Sequence, residues 1–250
     1  MEKGLDSYRL KLIALVFMIL DHIHTYLLHS QPEFISLITR FVAPLFLYLM
    51  IDGFYHTRSR KKFLIRLFVV GIIMKIVNYA IFEVFSRIDP VKYDYYLDWN
   101  DIILTLAFLF AFVWCLENVR QRKRKILNIF LAIITAILSI FCEGGIYLLP
   151  IAFVVWFFHE KKHLQLVGIS VWCIVILVFG LYNYFTAKPC DLYHYLCMDS
   201  QWAMISVIPF ILLYNGKRGK NTAFSKYMFY VIYPLHLWIL LILYLKFIVT

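Results

Sequence analysis

Charge is what this chain has least of. Asp, Glu, Lys and Arg together make up 16% of its 250 residues, where about 25% is usual for a soluble protein. Hydrophobic residues reach 63%, against roughly 45–50% in ordinary usage. A soluble fold of this length would not cover so much apolar surface with so few polar groups. The same numbers exclude a disordered chain. Cysteine is scarce too: five residues exclude a disulfide scaffold. Several motifs are missing as well. There is no CxxC or Cys/His spacing for zinc, no phosphate-binding P-loop, no GxGxxG and no GxSxG. No internal repeat is visible, which weakens a transporter built on inverted halves. What remains is an all-α, polytopic integral membrane helical bundle.

Crossing about 30 Å of hydrocarbon takes about 20 apolar residues. Nine such runs occur, near residues 10–29, 35–55, 63–86, 101–117, 126–142, 144–158, 165–186, 200–215 and 227–248. The fifth and sixth are short and meet at Glu143-Gly144-Gly145, as a tilted hairpin would, so eight to ten transmembrane helices are expected. The loops are too short for a separate soluble domain, and residues 1–250 read as one transmembrane domain. The first run holds Asp21, His22 and His24 and no small-residue cleavage site follows it, unlike a cleaved signal peptide. Of the 25 Lys and Arg residues, 18 fall in one alternating set of segments and four in the other. The positive-inside rule then puts the amino terminus in the cytoplasm. The net charge of +10 is thus mainly a topology signal. It suits anionic lipid or an anionic substrate and does not call for nucleic acid. The outer loops 87–100 and 187–199 are rich in Tyr, Asp and Trp, as interfacial belts are. Cys190 and Cys197 share the second loop, where an oxidising compartment would allow a disulfide.

Ionisable groups inside a span are functional candidates by default. His22 lies roughly 18 Å beyond Leu10 along a helix, near mid-membrane. A neutral imidazole there can act as a general base, or it can be a core histidine bonded to a neighbouring helix. Asp21 is offset from it by about 100° and is expected to face another helix. Arg40 lies close to the outer end of the second run, within reach of the interface by snorkelling. Asp52 is near its inner end. Lys75 sits mid-way along the third run, where a pair with Asp21, Asp52 or Glu143 is as reasonable as a catalytic role. Asn100, Asp101 and Glu143 sit at outer ends, positions suited to an outward pocket or to helix caps. Tyr233-Pro234-Leu235-His236 adds a second histidine, beside an expected kink in the last run. No metal site is expected. These residue types suit a site within the membrane, in either a proton-coupled carrier or an enzyme.

Certain blocks occur in this order: Arg9-Leu10-Lys11-Leu12-Ile13-Ala14, then Met18-Ile19-Leu20-Asp21-His22-Ile23. Next come Arg40-Phe41-Val42-Ala43-Pro44-Leu45-Phe46, Asp52-Gly53-Phe54-Tyr55-His56-Thr57-Arg58 and Lys62-Phe63-Leu64-Ile65-Arg66-Leu67. Asn100-Asp101-Ile102-Ile103-Leu104-Thr105-Leu106, Glu143-Gly144-Gly145-Ile146-Tyr147 and Tyr233-Pro234-Leu235-His236-Leu237 complete the set. The set resembles the TraX family, named for the conjugal pilin N-acetylase, and covers almost the whole chain. It is also similar to the wider transmembrane acyltransferases, including the acyltransferase-3 group and the lysosomal heparan glucosaminide acetyltransferase. Glu143 stands where the TraX pattern has an aspartate, and loops 87–100 and 187–199 are individual to this chain.

The resemblance implies an acetyl-CoA-dependent acetyltransferase of a bacterial inner membrane. His22 would be its central catalytic residue. Acetyl-CoA would enter from the cytoplasm as co-substrate, and the acceptor would be a peptide amino terminus or an envelope-glycan amine or hydroxyl. Arg58, Arg60, Lys61 and Lys62 suit its phosphates. Asp21 and His236 would orient the histidine. Arg40, Asp52, Lys75, Asn100, Glu143 and Tyr147 are further candidates for substrate or oxyanion contacts. A transporter and a non-catalytic assembly component are the other classes consistent with the residues.

Overall fold

Asp6 opens the first helix. Its carboxylate accepts the Arg9 backbone N–H at 2.8 Å, satisfying one of the donors a helix start leaves bare. The computed structural model describes residues 4–28, 31–88, 102–188, 190–220 and 222–247. Its α-helices are α1 (Ser7–Tyr26), α2 (Ile35–Thr39), α3 (Val42–His56), α4 (Arg60–Ile88), α5 (Ile102–Arg120), α6 (Lys125–Ile140), α7 (Gly145–Phe157), α8 (Lys162–Ala187), α9 (Leu192–Met198), α10 (Ile208–Leu213) and α11 (Ala223–Phe247). A 3₁₀ helix, Ser200–Val207, leads into α10. Among the described residues the only β feature is a parallel bridge between Leu5 and Tyr214.

All nine apolar runs are mainly helical where described, but they are not equivalent. Five helices are long and apolar enough to span: Ile35–His56 taken as one, α4, α5, α8 and Tyr227–Lys246 of α11. A sixth follows if α9 and the segment Ser200–Leu213, bent by 64°, count together. α6 and α7 are shorter. α1 has 20 residues but carries Arg9, Lys11 and Asp21. The run at 200–215 is therefore no plain span, because it begins as a 3₁₀ turn and reaches α geometry only at Ile208. The loop expected at 187–199 also holds a helix, α9, capped by Asp191 on the Tyr193 N–H at 2.9 Å. Most of the loop expected at 87–100 lies outside the described residues.

The breaks have local causes. Pro44 sits in the first turn of α3, where its missing N–H costs nothing. The α5–α6 turn places Arg122 and Arg124 at φ 58 and 39. At the α6–α7 turn Gly144 has φ +66, and a Cβ on Gly145 would lie 1.6 Å from the Ser139 carbonyl oxygen. Only glycine fits there. The turn expected at Glu143-Gly144-Gly145 is present.

The chain divides into two units, Met1–Leu49 with Phe157–Leu240 and Met50–Trp156 with Leu241–Thr250. In the first, Phe41 stacks on Phe210 with centroids 4.0 Å apart and meets Phe17 edge-on at 5.2 Å. In the second, Phe110 is the hub, 5.3 Å from Phe54 and 4.8 Å from Phe63. Large apolar side chains remain exposed on α6 and α8, among them Ile126, Phe130, Val171 and Phe179. Water would penalise such faces, whereas lipid does not.

Candidate functional site

His22 and His236 lie 214 residues apart in sequence and meet in the first unit. His22 Nδ1 is 2.8 Å from His236 Nε2, and the rings stack with centroids 5.0 Å apart. His236 Nδ1 lies 2.9 Å from the Ile232 carbonyl oxygen, one turn back on α11. A carbonyl only accepts, so His236 Nδ1 donates to it. In a neutral ring His236 Nε2 is then the acceptor, and the His22 Nδ1–H donates to it. That chain of donors leaves the lone pair of His22 on Nε2. Among the described residues nothing hydrogen-bonds that atom. Tyr26 and Tyr233 flank the His22 ring, with centroids at 6.0 and 6.3 Å.

Asp21 faces elsewhere, as helix geometry requires. Its carboxylate accepts a short hydrogen bond from the Thr39 hydroxyl on α2, and it therefore ties α1 to α2. Arg40 follows directly. Its Nε donates to the Ser200 hydroxyl at 2.7 Å, and Ser200 is fully buried. Arg40 is thus anchored to the start of the 3₁₀ helix.

A second polar group closes this end of the unit. The His24 Nε2–H donates to the Pro32 carbonyl at 2.9 Å. The Ser36 hydroxyl bridges the Glu33 and Cys197 carbonyls, both at 2.8 Å, and His194 pairs with the Glu33 carboxylate. Sequence reasoning missed Thr39, Ser200, Glu33 and His194. Each is an ordinary loop or helix-end residue, and its role exists only through a partner far away in the chain.

The remaining candidates lie in the second unit. Asp52 Oδ2 is 3.7 Å from His56 Nδ1 one turn on. Arg60 is stacked on the Phe54 ring, its guanidinium carbon 4.0 Å from the centroid, and its Nε donates to the Phe54 carbonyl at 3.4 Å. Of the quartet expected to hold phosphates, this one packs against its own turn. Arg58, Lys61 and Lys62 are exposed. Lys75 is half-buried on α4. The Glu143 carbonyl accepts the Thr105 hydroxyl at 2.7 Å, and Tyr147 lies in the first turn of α7. Asn100 and Asp101 lie outside the described residues. Cys190 and Cys197 are free thiols, one exposed and one buried. The disulfide that an oxidising compartment would allow is not formed here: α9 holds Cys197 buried, while the exposed Cys190 precedes the helix. Among the described residues no group of three or more His, Cys, Asp or Glu is placed to hold a metal ion.

The chain is 25% identical over 244 residues to the probable fimbrial assembly protein FimC, serogroup H1, of Dichelobacter nodosus, covering 95% of this chain and 96% of that protein. No solved structure matches. The family model described as TraX protein matches residues 7–244, a stretch that includes both histidines and the whole network around them. The chain belongs to the TraX family.

Proposed function

We propose that this protein is an integral-membrane acetyltransferase that moves an acetyl group from acetyl-CoA to an amine or hydroxyl acceptor. The observation that carries the reading is the histidine relay ending at the lone pair on His22 Nε2. The acceptor N–H or O–H gives its proton to Nε2 as its heteroatom attacks the thioester carbonyl. The carbonyl–sulfur bond breaks, and the departing thiolate takes the proton back from Nε2. Acetylated acceptor and CoA thiol are the products, and the histidines end as they began. While His22 is cationic, its Nδ1–H bond to His236 shares the charge between two rings, and the Ile232 carbonyl holds the second ring in register. The same Nε2 lone pair suits transient acetylation of His22. Trapping acetylated protein by rapid quench separates the two routes.

The relative's name, fimbrial assembly protein, favours a peptide amino terminus as acceptor over an envelope glycan. The positive-inside pattern favours an amino terminus in the cytoplasm of a bacterial inner membrane, with acetyl-CoA entering there. That same name also favours a second reading, a non-catalytic component of fimbrial assembly. Thiol release from acetyl-CoA by purified protein decides between them. The enzyme reading expects saturable release that falls at least about 100-fold in His22→Ala with no change in yield or melting. A well-folded sample that neither binds acetyl-CoA nor releases CoA sinks the enzyme reading and leaves the assembly role.

A further inference from the structure

We propose that the segment 215–220, Asn215-Gly216-Lys217-Arg218-Gly219-Lys220, is a phosphate-binding collar at the common foot of α1 and α11. The inference that CoA is its ligand rests on the acetyltransferase reading; the binding chemistry does not.

The segment is built against the start of α1. Leu5 N–H donates to Leu213 O at 2.7 Å, Asn215 N–H to Leu5 O at 3.0 Å and Ser7 N–H to Lys217 O at 2.8 Å. Asn215 Oδ1 accepts the Lys217 N–H at 3.0 Å. Lys162 from α8 donates to the Tyr214 carbonyl at 3.2 Å. Gly216 and Gly219 both take left-handed backbone, φ +75 and +76, and a Cβ on Gly219 would sit 2.4 Å from the Asp6 carboxylate carbon. A loop that only marks topology needs charge and no such geometry. This one is pinned by backbone bonds, and its Lys217, Arg218 and Lys220 side chains are exposed. Lys220 lies 5.9 Å over the Tyr8 ring, which draws it back over α1. Asp6 is the acid beside the loop, and it is engaged by the Arg9 N–H and lies 3.8 Å from the Arg9 guanidinium.

Position gives the collar its role. α1 leaves it at Ser7 and α11 soon after it at Ala223. At about 1.5 Å per residue, His22 stands roughly 22 Å up α1 and His236 roughly 20 Å up α11. The two helices rise together, because the rings meet at 2.8 Å. That height is of the same order as an extended pantetheine arm, the spacer between the phosphates of CoA and its thioester. Phosphates held by Lys and Arg at the foot would put the acetyl group at the level of His22. The collar and the histidine pair also belong to one unit, whereas Arg58, Lys61 and Lys62 belong to the other.

Anionic lipid headgroups share this phosphate chemistry, and the test separates the two sources. Full-length protein is reconstituted in zwitterionic nanodiscs and titrated calorimetrically with CoA and with adenosine 3′-phosphate 5′-diphosphate, which lacks the arm. Short-chain phosphatidylglycerol is titrated in a parallel series. The collar variant is Lys217→Gln/Arg218→Gln/Lys220→Gln. Arg122→Gln/Lys123→Gln/Arg124→Gln removes as many charges from another exposed loop, and Lys217→Arg/Lys220→Arg keeps the collar's charge. The expected result is a loss of about tenfold or more for CoA and its nucleotide fragment in the collar variant. The loop-122 variant and the charge-conserving variant bind as wild type does, at equal melting temperature. Wild type that ignores CoA but loses phosphatidylglycerol binding in the collar variant makes the collar a headgroup site, and the acetyl-CoA reading then fails while the collar stands. Unchanged binding of every probe by the collar variant overturns the proposal. So does a loss confined to Arg58→Gln/Lys61→Gln/Lys62→Gln.

Discussion

The two units use buried polar groups in opposite ways. In the histidine-bearing unit, polar side chains reach across the chain. His22 bonds a residue 214 positions away, Arg40 one 160 away, and Ser36 and Glu33 each one 161 away. In the second unit the polar contacts are closer in sequence. Glu117, buried among apolar helices, accepts from Gln121 one turn on at 2.8 Å and from Trp156 at 3.2 Å. Asn118 donates to Asn128 across a tight turn at 3.0 Å, and Thr105 to the Glu143 carbonyl at the α6–α7 turn. Short-range bonds of this kind hold turns and neighbouring helices in place. Bonds between distant segments converge several helices on one point, and a buried group there is costly unless it is satisfied.

The comparison can be broken most directly at its two hydrogen-bonded hubs. His22→Ala is expected to lower thiol release from acetyl-CoA by at least about 100-fold, while Glu117→Gln keeps the wild-type rate per folded molecule. Equal losses in both would erase the distinction between the units. Gly145→Ala comes next. Its Cβ cannot avoid the Ser139 carbonyl, so the α6–α7 hairpin must shift, at a cost of about 3 kcal/mol or more. That change reads out as loss of folded protein in detergent. Arg40→Ala leaves the buried Ser200 hydroxyl without its partner and should cost about 2 kcal/mol in unfolding. Melting of purified protein checks this, and an unchanged melt would show that Arg40 does not anchor the 3₁₀ helix. The smallest effect is expected at Ser36→Ala, about 1 kcal/mol, seen as faster amide exchange in α9 alone.

His236→Ala sharpens the comparison from within. In the proposed reaction His236 is a positioning residue, since it would act through its hydrogen bond to His22. Its loss should lower kcat about tenfold or more with little change in KM for acetyl-CoA. His236→Gln, which restores an acceptor toward the His22 Nδ1–H, should recover part of the rate. A purely structural role would move melting and leave that recovery absent.

Much of this was legible in the residues. Apolar runs, the Gly144-Gly145 turn and Asp21 facing away from His22 all follow from short-range rules of length, backbone conformation and helical angle. The 3₁₀ start at Ser200 and the helix inside loop 187–199 do not follow from run length, and both are tied to distant residues, Ser200 to Arg40 and the Cys197 carbonyl to Ser36. The free thiols have the same origin, since a shared loop says nothing about which way a cysteine is turned. The position of Arg60 over the Phe54 ring is likewise a packing outcome that the run of basic residues does not reveal.

Sequence by itself determined the helical membrane class, the family and the histidine worth testing, since these depend on composition, run length and ordered motifs. Tertiary structure decided which nitrogen of that histidine carries the lone pair. A tautomer is set by the partners at both ends of a hydrogen-bonded chain, and here they are His236 and the Ile232 carbonyl, brought to His22 only by the packing of α11 on α1.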